Sequence, residues 1–173
     1  MASIIRKLRN RKHGITDETD VLNISQITEN LFISNWPIAK HAPEIANHGI
    51  DLIVCTLMER QDKELNQPPL KMRQIRMIDA PMFPLPMFQL RHGVEAALPV
   101  IGSGGKVLTF CKSGIHRSVA MASCVLIGQG YSAEEAMRMV ADGREIADPY
   151  KPHIRKRIEK FEPYWRNYLN SSV

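Results

Sequence analysis

Short apolar runs of strand length alternate along this chain with longer segments in which apolar residues recur at helical spacing. Residues 21–24, 31–34, 51–57, 72–78 and 106–110 are β-prone runs. Helical segments are expected at 37–47, at 87 to about 101, and at 118–129, with Pro99 bending or shortening the second. Ser132-Ala-Glu-Glu135 is a capping box that should open a helix to about Asp142. A last amphipathic helix is expected from about Pro152 to Leu169, with Pro163 as a kink. Strands interleaved with helices predict an α/β fold: one domain with a central, largely parallel sheet of about five strands flanked by helices. Ligands in such folds bind at the carboxyl ends of the strands. No repeat or low-complexity linker interrupts the pattern.

At the end of the last β-prone run, residues 110–118 read Phe-Cys-Lys-Ser-Gly-Ile-His-Arg-Ser, and a helix-prone apolar run follows at once. Successive amides in such a strand-to-helix loop form an anion-binding nest. The helix adds its positive N-terminal end, and Gly114 allows backbone conformations that a side chain forbids. The guanidinium fork of Arg117 can grip two oxygens of a phosphoryl group. The same positive field favours the thiolate of Cys111, which is the nucleophilic form. A leaving alkoxide then needs a proton. Asp79, at the start of the proline-studded stretch 80–86, is the candidate donor. Asp79 also reads as a turn-initiating residue, in which case Asp62, Glu59 and Glu64 are the rivals.

These residues resemble the active-site loop of the cysteine-dependent protein tyrosine phosphatase superfamily, His-Cys-x5-Arg-[Ser/Thr], and the short chain suggests its dual-specificity branch. Leu31-Phe32-Ile33-Ser34 with Ala39, and the stretch 49–54, are similar to the opening strand and helix of those enzymes; the likeness spans roughly residues 21–145. One position departs: the family histidine before the nucleophile is Phe110 here, so no imidazole hydrogen-bonds the loop. The resemblance implies a phosphatase-like fold and a phosphomonoester hydrolase working through a phosphocysteine, with no cofactor and no metal. It further implies Cys111 as nucleophile, Asp79 as general acid, Arg117 holding the phosphoryl oxygens and Ser118 easing thiolate departure. Lys112, Ser113, Gly114, Ile115, His116 and Arg117 would bind substrate. Phosphotyrosine and phosphoserine or phosphothreonine proteins are the expected substrates. A phosphoinositide or RNA 5′-phosphatase of the same fold, or a phosphate-binding module without catalysis, are the alternative readings.

At 173 residues and 44% hydrophobic content, the chain suits one domain with a sizeable core. The expected division is a basic N-terminal segment over 1–20 and a catalytic domain over 21–173. No apolar run approaches the roughly 18 residues of a membrane span, and the start of the chain lacks a secretory signal, so a cytoplasmic protein is expected. The three cysteines show no metal-ligand spacing, and Cys55 and Cys124 sit in apolar runs as core residues. As in some relatives, Cys55 could instead capture oxidised Cys111 in a disulfide. The net charge of +5 gathers at Arg6, Lys7, Arg9, Arg11 and Lys12 and at Lys151, Arg155, Lys156, Arg157, Lys160 and Arg166. These termini read as solvated faces, with an anionic partner as the further expectation. Nucleic acid is not expected, because no aromatic platform is interleaved with the basic residues.

Overall fold

The computed structural model describes residues 21–171. Its elements are β1 (Ile24–Gln26), β2 (Leu31–Ser34), α1 (Ala42–Asn47), β3 (Ile50–Cys55), β4 (Lys71–Gln74), α2 (Met87–Gly102), β5 (Lys106–Phe110), α3 (Arg117–Gly128), α4 (Ala133–Gly143) and α5 (Pro152–Ser171). The strands form one sheet in the order β1-β2-β5-β3-β4, parallel throughout except for the antiparallel pair β1–β2. β5 lies in the middle, and its side chains feed both faces in alternation. Val107 enters the core shared with α2, α3, α4 and α5, whereas Leu108 and Phe110 enter the core on the opposite face. Leu31 and Ile33 against Phe32, and Leu52 and Val54 against Ile53 and Cys55, divide the same way. A strand buried on both faces reads as an unbroken apolar run, which is why β2, β3 and β5 were visible in the sequence.

α3 leaves the carboxyl end of β5 and passes through the middle of the helical layer. Every residue from Ser118 to Ile127 is buried, so this helix is apolar all round. Its start is tied to the strand that precedes it: Thr109 Oγ1 donates to the Ser118 carbonyl at 3.1 Å. α4 opens on the expected capping box. The Glu135 amide donates to Ser132 Oγ at 3.3 Å, and the Ser132 amide donates to Glu135 Oε2 at 2.9 Å.

Several boundaries differ from the sequence pattern, among them the end of β3, which stops at Cys55 and not at 57. β1 begins at Ile24 rather than 21, because two asparagines bridge the preceding residues: the Asn23 amide donates to Asn35 Oδ1, and Asn35 Nδ2 donates to the Val21 carbonyl. β4 ends at Gln74, although the chain stays extended beside β3, with the amides of Ile75 and Met77 donating to the carbonyls of Cys55 and Thr56. The helix expected from 37 starts as a single 3₁₀ turn, Ala39–His41, because the Ile38 amide is taken by His41 Nδ1 and the Ala39 amide by Asp62 Oδ2. Pro99 neither ends nor shortens α2, which runs on to Gly102. Pro99 and Pro163 both sit on the solvent side of their helices, so the carbonyl that loses its partner can bond water.

The basic cluster at residues 6–12 lies outside the described residues. At the other end, part of the charge is already engaged. Arg155 pairs with Glu159 at 2.7 Å, Arg166 pairs with Glu162 at 2.5 Å, and Arg157 Nε donates to the Leu85 carbonyl at 2.8 Å. Lys151, Lys156 and Lys160 are exposed. No helix among the described residues is long and apolar enough to cross a membrane.

Candidate active site

The loop between β5 and α3 is held from outside by its carbonyls. The Phe110 carbonyl accepts from the amide and the hydroxyl of Thr56, at 3.0 and 2.8 Å. The Lys112 carbonyl accepts from the Trp36 amide at 3.2 Å, and the Ser113 and Gly114 carbonyls from Arg144 Nη2 and Nε at 3.4 and 2.8 Å. The Ile115 carbonyl accepts from the Asp148 amide at 3.1 Å and the His116 carbonyl from the Ala120 amide at 2.8 Å. In a trans peptide the N–H points opposite to the C=O of the preceding residue. Five carbonyls turned outward, 112–116, therefore turn the amides of 113–117 to the inner side of the loop. Gly114 is required in this turn: its φ is +70°, and a Cβ there would meet the Ser34 carbonyl oxygen at 2.8 Å.

Cys111 Sγ sits on that inner side. The Gly114 amide and the Ser118 hydroxyl each donate to it at 3.2 Å. Burial alone would push this thiol up. The hydroxyl and amide of Ser118, the charge of Arg117 and the Gly114 amide outweigh burial, and Cys111 is held below the ordinary thiol value of 9.0. The other cysteines go the opposite way: burial raises Cys55 to about 12 and Cys124 well above the thiol range. All three are free and buried. Phe110 is fully buried among apolar residues and gives the loop no side-chain hydrogen bond, so the thiolate here depends on Ser118, the amides and Arg117. Alkylation with iodoacetamide near pH 7 should therefore label Cys111 alone, with a pH midpoint below 9.0, and inorganic phosphate should slow it. Mass spectrometry of the labelled peptides checks this; equal labelling of Cys55 would contradict the ordering.

A cleft of about 290 Å³ opens above the sulfur, lined by Asp79, Cys111, Lys112, Ser113, Ile115, His116 and Arg117. Of the candidate residues named from the sequence, Gly114 and Ser118 do not line the cleft; both are buried and each donates to Cys111 Sγ. Arg117 is anchored by Nη1, which donates to the Met77 carbonyl at 3.0 Å, while its buried Nε has no hydrogen-bond partner and lies 3.9 Å from Asp79 Oδ2. Asp79 faces the loop. Of its rivals, Asp62 accepts from the Ala39 amide at 2.9 Å, and neither it nor Glu59 or Glu64 lines the cleft.

Two residues of this site escaped the sequence reading. Arg144, 2% exposed, is fixed by Asn23 Oδ1, Ser25 Oγ and the Asn23 carbonyl at 2.9–3.1 Å, and from there it holds the loop carbonyls. His153, in the first turn of α5, places Nε2 3.3 Å from Asp79 Oδ1, while His116 Nδ1 stands 3.2 Å from Asp79 Oδ2. Asp79, His116 and His153 thus offer three metal-ligand side chains in one place. They come from three separate segments, so no sequence spacing announces them.

A cysteine held below the ordinary thiol value by neighbouring donors, with an arginine and an aspartate across a cleft, at the end of a central parallel strand, is the construction of the cysteine-dependent protein tyrosine phosphatases, to which this chain is similar in sequence and in fold. The relatives it matches include proteins of the dual-specificity branch. Human dual specificity phosphatase 28 is 26% identical over 138 residues, covering 79% of this chain and 76% of that protein. Tyrosine-protein phosphatase yvh1 of Schizosaccharomyces pombe is 25% identical over 145 residues, 83% of this chain but 43% of that longer protein. Among solved structures, a mouse dual specificity phosphatase crystallised with zinc tungstate is 25% identical, with a TM-score of 0.72 over 89% of this chain and 95% of that one. No family model matches the chain.

Proposed function

We propose that this chain removes phosphate from phosphorylated proteins, tyrosine as well as serine or threonine residues, through a phosphocysteine at Cys111. The observation that carries the reading is the sulfur itself: two hydrogen bonds at 3.2 Å and a guanidinium favour its charged form at the floor of an open cleft. In the first step Cys111 Sγ attacks phosphorus, the bond to the leaving oxygen breaks, and Asp79 gives that oxygen its proton. Arg117 and the inward amides hold the equatorial oxygens as charge spreads over them. In the second step Asp79 takes a proton from water, the water oxygen attacks phosphorus, and the P–S bond breaks. The Ser118 hydroxyl, already 3.2 Å from the sulfur, steadies the departing thiolate. No metal or cofactor enters either step. A cytoplasmic setting, where thiols stay reduced, suits the three free cysteines.

Lys112 and Ser113 are exposed and line the cleft. The test is turnover of phosphotyrosyl and phosphothreonyl peptides beside inositol phospholipids and 5′-phosphorylated RNA. Hydrolysis of both peptide classes is expected. Hydrolysis of lipid or RNA alone would overturn the substrate, and phosphate binding without any turnover would overturn catalysis.

Asp79→Asn should slow aryl phosphates with poor leaving groups by about 10²–10⁴-fold, the span of general acid catalysis. Those with good leaving groups should lose far less, because they depart without a proton. Equal losses on both kinds of substrate would remove Asp79 from the mechanism.

A further inference from the structure

We propose that Asp79, His116 and His153 form a binding site for a zinc-class divalent cation, and that its occupation switches the phosphatase off. The site is new chemistry for this cleft: the phosphoryl-transfer steps above use none of the three as a ligand and do not use His153 at all. Zinc bound tetrahedrally by nitrogen and oxygen at about 2.0–2.1 Å spaces its ligand atoms about 3.3 Å apart. Asp79 Oδ2 to His116 Nδ1 is 3.2 Å, and Asp79 Oδ1 to His153 Nε2 is 3.3 Å. One donor atom from each of the three residues lies within 4.8 Å of the other two, so a modest rotation of one ring closes the set. The two rings already pack edge to face with centroids 5.7 Å apart. All three side chains are part-buried, with exposures of 26% for His116, 17% for His153 and 23% for Asp79, which leaves an ion a way in from solvent.

The backbone holds these ligands from three directions. His116 lies in the carbonyl-anchored loop, His153 in the first turn of α5, and Asp79 at the end of the extended stretch that runs beside β3. Two imidazoles and one carboxylate suit zinc, copper or nickel and not magnesium or calcium, which prefer all-oxygen shells. Three protein ligands leave a fourth position for water or an anion. Arg117, with Nε 3.9 Å from Asp79 Oδ2, opposes a cation here, so the affinity should fall below that of four-ligand structural zinc sites. A carboxylate that coordinates a metal cannot hand a proton to a leaving group. Inhibition therefore rests on the phosphatase reading above, whereas binding does not.

Binding is measured on Cys111→Ser protein, which removes the thiolate as a competing ligand; Cys55 and Cys124 stay protonated at neutral pH by burial. Calorimetric titration with zinc chloride should show one equivalent bound, and magnesium none. Cobalt(II) should give the visible bands of a tetrahedral nitrogen and oxygen site without thiolate charge transfer. His153→Gln and His153→Ala should each weaken zinc by more than about tenfold. In protein with Cys111 intact, chelator-treated enzyme should be active and zinc should suppress peptide turnover. The zinc concentration for half-inhibition should rise in His153→Gln by the same factor, judged against that variant's own metal-free rate. Zinc binding that is absent, unchanged in both His153 variants, or lost with Cys111 would overturn the site. Zinc at the triad without slower turnover would overturn the switch. A protein that binds zinc through the triad but hydrolyses no phosphomonoester would keep the site and sink the phosphatase reading instead.

Discussion

Cys111→Ser is expected to lower phosphopeptide turnover by ~10⁴-fold or more, the scale on which removal of a covalent nucleophile is felt, while inorganic phosphate still binds. The two halves of this expectation have different origins in the structure. Turnover depends on a charged sulfur, and the hydrogen bonds and the guanidinium that lower the Cys111 thiol act on a group whose ordinary value is 9.0. A serine hydroxyl starts far higher, and the same surroundings leave it protonated. Phosphate binding depends instead on the inward amides of 113–117 and on Arg117, none of which touches the identity of the atom at position 111 except through the Gly114 amide and the Ser118 hydroxyl, and serine oxygen can accept both. Calorimetric titration with phosphate, beside steady-state turnover, separates the two. Retained turnover would sink the phosphocysteine mechanism. Loss of phosphate binding together with turnover would mean that the sulfur organises the loop and does not merely occupy it.

The loop was legible because everything it needs is local. A strand end, a thiol, a glycine, an arginine and a helix start stand within nine consecutive residues, and each acts on its neighbours through the backbone. Asp79 was legible as a chemical requirement, and the structure puts it on the cleft where Asp62, spent on the Ala39 amide, is not. Arg144 and His153 were not legible. Arg144 reads in sequence as one more cation after an amphipathic helix. Its role appears only when α4 folds back over β1 and brings residues 23, 25, 113 and 114 within reach of one guanidinium. His153 likewise meets Asp79 only once α5 has packed across α3.

The same distinction explains the fold. β2 and β5 match their sequence runs at both ends because they are buried on both faces, with Ser34 and Thr109 as polar residues enclosed among apolar ones. β1 and β4 lie at the two edges of the sheet, where one side of the strand has no partner strand and side chains such as Asn23 and Asn35 compete for the backbone. The start of β1 was set by those competing bonds and not by hydrophobic pattern. Pro99 misled for a related reason: its rule concerns a carbonyl deprived of a donor, and that deprivation is cheap on a face open to water.

Arg117→Lys should cost about 10²–10⁴-fold in kcat/KM although the charge is kept, since loss of one preorganised donor to a developing oxyanion already costs ~10²–10³-fold. The arginine divides its donors. Nη1 spends one on the Met77 carbonyl at 3.0 Å, which fixes the plane of the guanidinium against the stretch leading to Asp79. The buried Nε, without a hydrogen-bond partner in the protein, stays available for a phosphoryl oxygen, and so does the remainder of the fork. A lysine ammonium can make the bond to Met77 or reach the phosphate, but it lacks the planar pair of donors needed for both at fixed geometry. The loss should fall on kcat as well as on KM, because the fork holds oxygens whose charge grows in the transition state. Cys111 reactivity gives a second readout: with the cation more mobile, the pH midpoint of its alkylation should rise, since Arg117 is one of the groups holding the thiol down. Near-normal kcat/KM in Arg117→Lys, with an unmoved alkylation midpoint, would show that the phosphate is gripped elsewhere and that the backbone nest acts without this side chain.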